Sequence, residues 1–181
     1  MSHITLIRHG QANSQAQDET SYDQLSPLGH QQAAWLGNHL RATNQHNTRL
    51  YTGTLRRHRE TAEGMATGLT PTEDERLNEL EYFTLAAALR DEHGVPMPTE
   101  QEEFIQHLPR VFAAWKDGML KGEPESFASF EDRVHSVMTD IGTGNGPALV
   151  VTSGGLISMV MRQHLDPVSY THLTLPTNRE V

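Results

Sequence analysis

The amino-acid sequence predicts an α/β fold, a three-layer sandwich in which a mostly parallel sheet is flanked by helices. Short apolar, β-branched runs alternate with longer segments whose apolar residues recur at helical spacing, the pattern of strand–helix–strand units. A length of 181 residues fits one domain. Apolar residues make up 36% of it, which is polar but not of disordered composition.

The elements follow in order. Ile4, Thr5, Leu6 and Ile7 lead a short buried strand that ends at Arg8. Residues 10–24 are polar. Ser26-Pro27 opens a helix, Ser26 capping its free amides and Pro27 sitting where a missing N–H does no harm. Ala33, Leu36, Gly37 and Leu40 give that helix its inner face. Residues 49–52 form a second strand, and Thr54 can cap a helix reaching about residue 67. Residues 72–83 read as irregular. A helix over 84–93 closes at Gly94, which can take the left-handed conformation. Thr99-Glu100-Gln101-Glu102 has capping-box spacing, ahead of a helix with Phe104, Ile105, Leu108, Val111, Phe112 and Trp115 at helical spacing. Ser129 begins another helix, with Phe130, Val134, Val137, Met138 and Ile141 on one face. Residues 148–152 are the clearest buried strand, and Gly154-Gly155 leads into a last helix to about residue 165. The mainly helical segment 84–127 is expected to be a cap beside the sheet, inside a domain spanning 1–167. Trp35, Trp115, Met159 and Met161 are expected in the core.

The formal charge is −9. Such a chain repels phosphate on average, which argues against nucleic acid and anionic membrane as partners. An anion would have to be met by a local cluster of arginines. The chain has no cysteine, so disulfides, thiolate zinc sites and thiol nucleophiles are excluded. The histidines outside the motif below show no ligand spacing and read as surface or packing residues. No metal or cofactor is expected. No apolar run approaches the roughly 20 residues of a membrane span, and no secretory signal is visible. The expected location is cytoplasmic.

Four segments carry chemistry. Leu6-Ile7-Arg8-His9-Gly10-Gln11 lies at the carboxyl end of the first strand, where parallel α/β folds place ligands. A neutral imidazole can attack phosphorus, a guanidinium can bind two phosphate oxygens, and Gly10 lets the backbone approach an anion. Leu55-Arg56-Arg57-His58-Arg59-Glu60-Thr61-Ala62 opens a helix, whose free amides favour phosphate; Arg56 and Arg59 read as a solvated face. Leu77-Asn78-Glu79 offers a carboxyl group that could protonate a leaving alkoxide, although Glu79 and Glu81 also read as loop carboxylates. Val150-Val151-Thr152-Ser153-Gly154-Gly155 aims backbone amides at an anion, or is simply a tight strand-to-helix turn.

Together the four resemble the histidine phosphatase superfamily, over residues 4 to about 165 and in the expected order. Arg8-His9-Gly10-Gln11 looks like the defining motif, and the resemblance implies that His9 is the phosphorylated histidine. Leu25-Ser26-Pro27-Leu28-Gly29 is similar to the segment opening the family's first helix. Arg57, with Thr61-Ala62 after it, matches the second phosphate-binding arginine, and Glu79 the acid/base glutamate. The resemblance implies phosphomonoester hydrolysis, with Arg8, Arg57, Gly10, Ser153 and Gly154 binding phosphate, and a small-molecule phosphate ester or a phosphorylated protein as substrate. A mutase is the lesser expectation. One departure bears on this. The family usually has Thr-His-Gly where this chain has Thr152-Ser153-Gly154, and no other histidine is evidently placed to substitute. Losing a preorganised donor can cost roughly a few kcal/mol of transition-state stabilisation. A slow enzyme, a different electrostatic arrangement, or a phosphate-binding or regulatory protein without turnover all remain open. The segment 84–127 should set the substrate, with Glu125-Ser126 a candidate pocket contact.

Residues 168–181 resemble a translated sequencing-adapter read-through. The family would continue past Asp166-Pro167 into a further strand, which is expected to be missing here.

Overall fold

In the computed structural model, which describes residues 3–43 and 46–164, a four-stranded sheet lies between two layers of helices. The strands are β1 (Ile4–Arg8), β2 (Arg49–Thr52), β3 (Pro71–Glu73) and β4 (Ala148–Thr152). Their order is β1-β4-β2-β3, and every pairing is parallel. The reading of 168–181 as foreign, and of a missing strand, lies outside the described residues.

β4 is buried along its whole length, and its alternating side chains divide the core. Leu149 and Val151 join Ile7 and Leu50 beneath α2 (Pro27–Ala42) and α3 (Arg56–Gly64), which supply Leu40 and Ala62. Ala148 and Val150 face the opposite layer of α4 (Tyr82–His93), α5 (Gln101–Lys116), α6 (Phe127–Thr143) and α7 (Gly154–His164). Two-residue periodicity thus turns one strand into the shared wall of both halves. Leu85, Leu89, Val111 and Trp115 of the 84–127 segment pack in the same core as Phe130 and Val134 of α6.

Ser26 caps α2 as expected, its Oγ accepting the Gly29 N–H at 3.1 Å, and Gly94 closes α4 at φ 69°. Several local expectations are corrected. Thr54 does not cap α3; its hydroxyl accepts from the Asn78 amide. The α3 N–H groups of Arg56 and Arg57 instead donate to Asp23, at 2.9 and 3.1 Å. The capping box ahead of α5 is shifted by one residue, with Glu103 accepting from both the N–H and the hydroxyl of Thr99. Ser126, not Ser129, caps α6, so that helix starts earlier. The irregular stretch 72–83 contains the end of edge strand β3, a short 3-10 turn (Glu75–Leu77) and the first residues of α4. The polar stretch 10–24 contains a four-residue helix, α1 (Glu19–Tyr22). Trp35 is 60% exposed, because Ala33, Gly37 and Leu40 take the inner face of α2 and leave position 35 on the other side. Phe104 and Ile105 are exposed as well, since the first turns of α5 project beyond the core.

Candidate active site

The carboxyl ends of β1, β4 and β2 lie side by side, so the residues that follow them converge. Arg8 pairs with Thr152, and the next residue, His9, donates its N–H to the Thr152 carbonyl at 2.9 Å. His9 and Ser153 therefore stand next to one another where the sheet stops.

The His9 ring is fixed at both nitrogens. Nδ1 lies 2.7 Å from the Gly10 carbonyl oxygen. A carbonyl can only accept, so Nδ1 carries the proton and Nε2 the lone pair. The Arg57 Nε–H points at that Nε2 at 3.3 Å. Burial, reinforced by the charges of Arg57 and Arg8 and opposed by the Gly10 bond, lowers the His9 pKa to about 4. The imidazole is neutral at neutral pH, as a nitrogen nucleophile must be.

Arg57 is only 2% exposed. Asp23 holds it through Nη1 at 3.1 Å, and its guanidinium carbon lies 5.0 Å from the centre of the Tyr22 ring. The short α1 and the residue after it thus anchor the arginine, which sequence reasoning missed because the partner lies 34 residues away. Thr61 binds two strands of the motif together. Its hydroxyl accepts the Gly10 N–H at 3.0 Å and donates to the Arg57 carbonyl at 2.7 Å. Gly10 therefore spends its amide on Thr61, and its missing Cβ makes room for the Gly29 backbone of α2, which an added methyl would strike. Arg8 lies at the mouth with no ion pair among the described residues, and Gly154 packs beside its side chain.

Glu79 sits deeper. Its carboxylate accepts the Gly155 N–H at 2.9 Å and the Leu80 N–H at 3.1 Å. Burial outweighs those bonds and the two arginine charges, and raises its pKa above the ordinary glutamate value. Gly155 has no room for a side chain against this carboxylate. Glu79 is not among the residues that line the cavity at His9, although the charges of Arg57 and Arg8 reach its carboxyl group; it lines another cavity of about 320 Å³, shared with Arg76, Trp115, Glu125 and Arg133. Glu125 and Ser126 are likewise away from His9, Glu125 pairing with Arg133 at 2.8 Å and Ser126 capping α6.

Ser153 is fully buried. Its Oγ lies 2.6 Å from Nε2 of His58, and the His58 ring centre is 5.6 Å from that of His9. A fully buried histidine therefore stands next to Ser153, a placement that the sequence reading did not anticipate. Its signal was adjacency to Arg57 in the first turn of α3, which turns both residues inward. Burial, with the nearby charges adding to it, lowers the His58 pKa to about 2.

The cavity over His9 holds about 840 Å³ and opens past Arg8. Tyr22, Leu36, Tyr82, Phe83, Met97 and Phe104 supply its apolar wall, and Glu100 lies at its edge. Three of these belong to the helical segment expected to set the substrate, or to the turn of chain before α5.

The profile of the histidine phosphatase superfamily (branch 1) matches residues 4–178, and the chain belongs to that family. The match runs through most of the terminal segment and lends no support to its reading as foreign. No curated protein matches the chain in sequence. Among solved structures, phosphoglycerate mutase from Bacillus anthracis is 24% identical with a TM-score of 0.63, over 88% of this chain and 78% of that one. Mycobacterial glucosyl-3-phosphoglycerate phosphatase is 22% identical with a TM-score of 0.59, over 87% and 76%. Phosphoserine phosphatase from Entamoeba histolytica, solved with 3-phosphoglyceric acid, is 21% identical with a TM-score of 0.58, over 89% and 78%. These likenesses establish the α/β fold. Among the described residues no helix is long and apolar enough to cross a membrane.

Proposed function

We propose that this protein hydrolyses phosphomonoesters in two steps through a phosphohistidine on His9. The observation that carries the reading is the buried, neutral His9 ring, with Nδ1 committed to Gly10 and Nε2 facing Arg57. In the first step Nε2 attacks phosphorus as the bond to the leaving oxygen breaks, and Glu79, whose carboxyl group interacts with Arg57 and Arg8, gives that oxygen its proton. In the second, water attacks phosphorus, Glu79 takes the water proton, and the phosphorus–nitrogen bond breaks to restore His9. Arg8 and Arg57 offset the charge on the phosphoryl oxygens, with Ser153 and Gly154 beside them. Positioning and electrostatics supply most of the catalysis, and neither step calls for a metal or cofactor.

The substrate is a small phosphate ester or a phosphorylated protein whose leaving group is uncharged. Aromatic and aliphatic side chains share the wall with uncharged polar ones such as Gln11, Asn13, Gln32 and Thr99, and Arg8 is the one arginine or lysine among its described lining residues. A carboxylate on the leaving group would meet Glu100 with no further cation to balance it. The same lack disfavours mutase action, in which both ends of an anionic intermediate must be held in turn.

Brief exposure to a phosphomonoester should leave acid-sensitive, base-stable phosphate on His9, and His9→Ala should abolish both label and turnover. An unlabelled protein with unchanged hydrolysis in His9→Ala rejects the mechanism. In a panel of alkyl phosphates, phenethyl phosphate should show a KM lower than that of phosphoglycerate by roughly tenfold or more; the reverse order rejects the leaving-group assignment. The uncharged Ser153 favours one other reading, a phosphate-binding protein without turnover. Calorimetric phosphate binding that depends on Arg8 and Arg57, with no release from any ester, would support it.

A further inference from the structure

We infer that His58 is a positioning residue, holding the Ser153 hydroxyl so that Ser153 donates its own proton to the phosphoryl group on His9. The inference rests on the reading of His9 as the phosphoryl acceptor and adds to it a paired donor that comes from two elements, α3 and the end of β4.

The direction of the hydrogen bond follows from what surrounds the His58 ring. Nε2 lies 2.6 Å from Ser153 Oγ. Nδ1 is buried and has no hydrogen-bond partner among the described residues. It abuts the backbone of Gly53, where even an added methyl would collide with it. The nearby Asn78 Oδ1 is already taken by the N–H groups of Thr54 and Leu55. A neutral imidazole has one N–H, and burying it unpaired against Gly53 costs more than burying the bare nitrogen. The proton therefore sits on Nε2 and is donated to Ser153. That bond uses one lone pair of the hydroxyl and leaves its proton for another acceptor.

In this arrangement the free proton is directed toward His9. Ser153 follows Thr152, whose carbonyl accepts the His9 N–H, and the two residues lie just past the ends of adjacent strands. Gly53, at the end of β2, gives the ring its slot, and the packing of His58 against His9 sets the distance. A positively charged donor at this point would need an imidazolium in a buried place beside Arg57. A neutral histidine acting through a hydroxyl provides a directed proton without that cost.

The test compares Ser153→Ala, His58→Phe, His58→Gln and the Ser153→Ala/His58→Phe double variant, using para-nitrophenyl phosphate in the full chain. Ser153→Ala and His58→Phe should each lower kcat on the order of 10²-fold with little change in KM, and the double variant should lose no more than Ser153→Ala alone. His58→Gln, which keeps an N–H near the same place, should recover most of the rate. Multiplied losses, or normal kcat in His58→Phe, overturn the inference. Nitrogen chemical shifts of His58 in the unmodified protein give a second reading that needs no variant to fold. They should report a neutral ring protonated at Nε2, and protonation at Nδ1 overturns the assignment. Acid-quenched single turnovers distinguish loss of the reaction from loss of the paired donor. Absence of phospho-His9 in the unmodified protein removes the underlying reaction and the inference with it. Phospho-His9 forming at the same rate in all variants removes the inference alone.

Discussion

At the scale of single residues, the site is a set of competing claims on the same hydrogens and charges. Arg57 serves His9 and Asp23 at once. Glu79 has the environment of a carboxyl group that keeps its proton longer than usual, yet both its oxygens accept backbone amides at the start of α7. A general acid matters most when the leaving oxygen is a poor one. Glu79→Gln should therefore lower kcat by roughly 10²- to 10³-fold on an alkyl phosphate and far less on para-nitrophenyl phosphate, in steady-state assays run side by side. Equal effects on both esters would reassign Glu79 to holding the α7 terminus.

At the scale of elements, close helix contacts depend on missing side chains. Gly37 of α2 lies against the Met65 carbonyl just past α3, with no space for a methyl group. Gly142 near the end of α6 has nothing within 4 Å of that position. Gly37→Ala should destabilise the protein by roughly 1–3 kcal/mol, lowering Tm by about 3–10 °C, despite its better helix propensity. Gly142→Ala should raise Tm slightly, since only the propensity gain of up to about 1 kcal/mol operates there. Thermal melts of the two variants check both signs, and equal shifts would contradict the contact. Elements set by local pattern were legible in the sequence: β1, β2 and β4 from apolar runs, and α2 from Ser26-Pro27. So was the convergence of Arg8, His9 and Arg57, because the ends of parallel strands must share one edge. What escaped was whatever depends on a distant partner. Asp23 caps α3 from a stretch that looked merely polar, β3 exists by pairing with β2, and His58 gains its place only when β2 and β4 lie together.

At the scale of the whole molecule, burial of two histidines beside the sheet ties stability to acidity. Their pKa values fall to about 4 and about 2 in the folded protein, against about 6.5 in an unfolded chain. Between about pH 6.5 and 4 the unfolded chain binds protons at both positions that the folded one refuses, so stability is lost as pH falls through that window. Each group contributes a slope of up to about 1.4 kcal/mol per pH unit. Glu79 works in the other direction, because its raised pKa lets the folded protein keep a proton the unfolded chain releases. Urea midpoints at a series of pH values should fall less steeply for His58→Gln than for the unmodified protein, and identical slopes would show that His58 is protonated in the fold. The Arg57 N–H resting on His9 has a consequence of another kind. On the proposed reading of His9 as phosphoryl acceptor, its nitrogen is occupied until a dianion draws that hydrogen onto its own oxygens, and stray electrophiles meet a guarded atom. On that reading the ligand itself would free the nitrogen that acts on it.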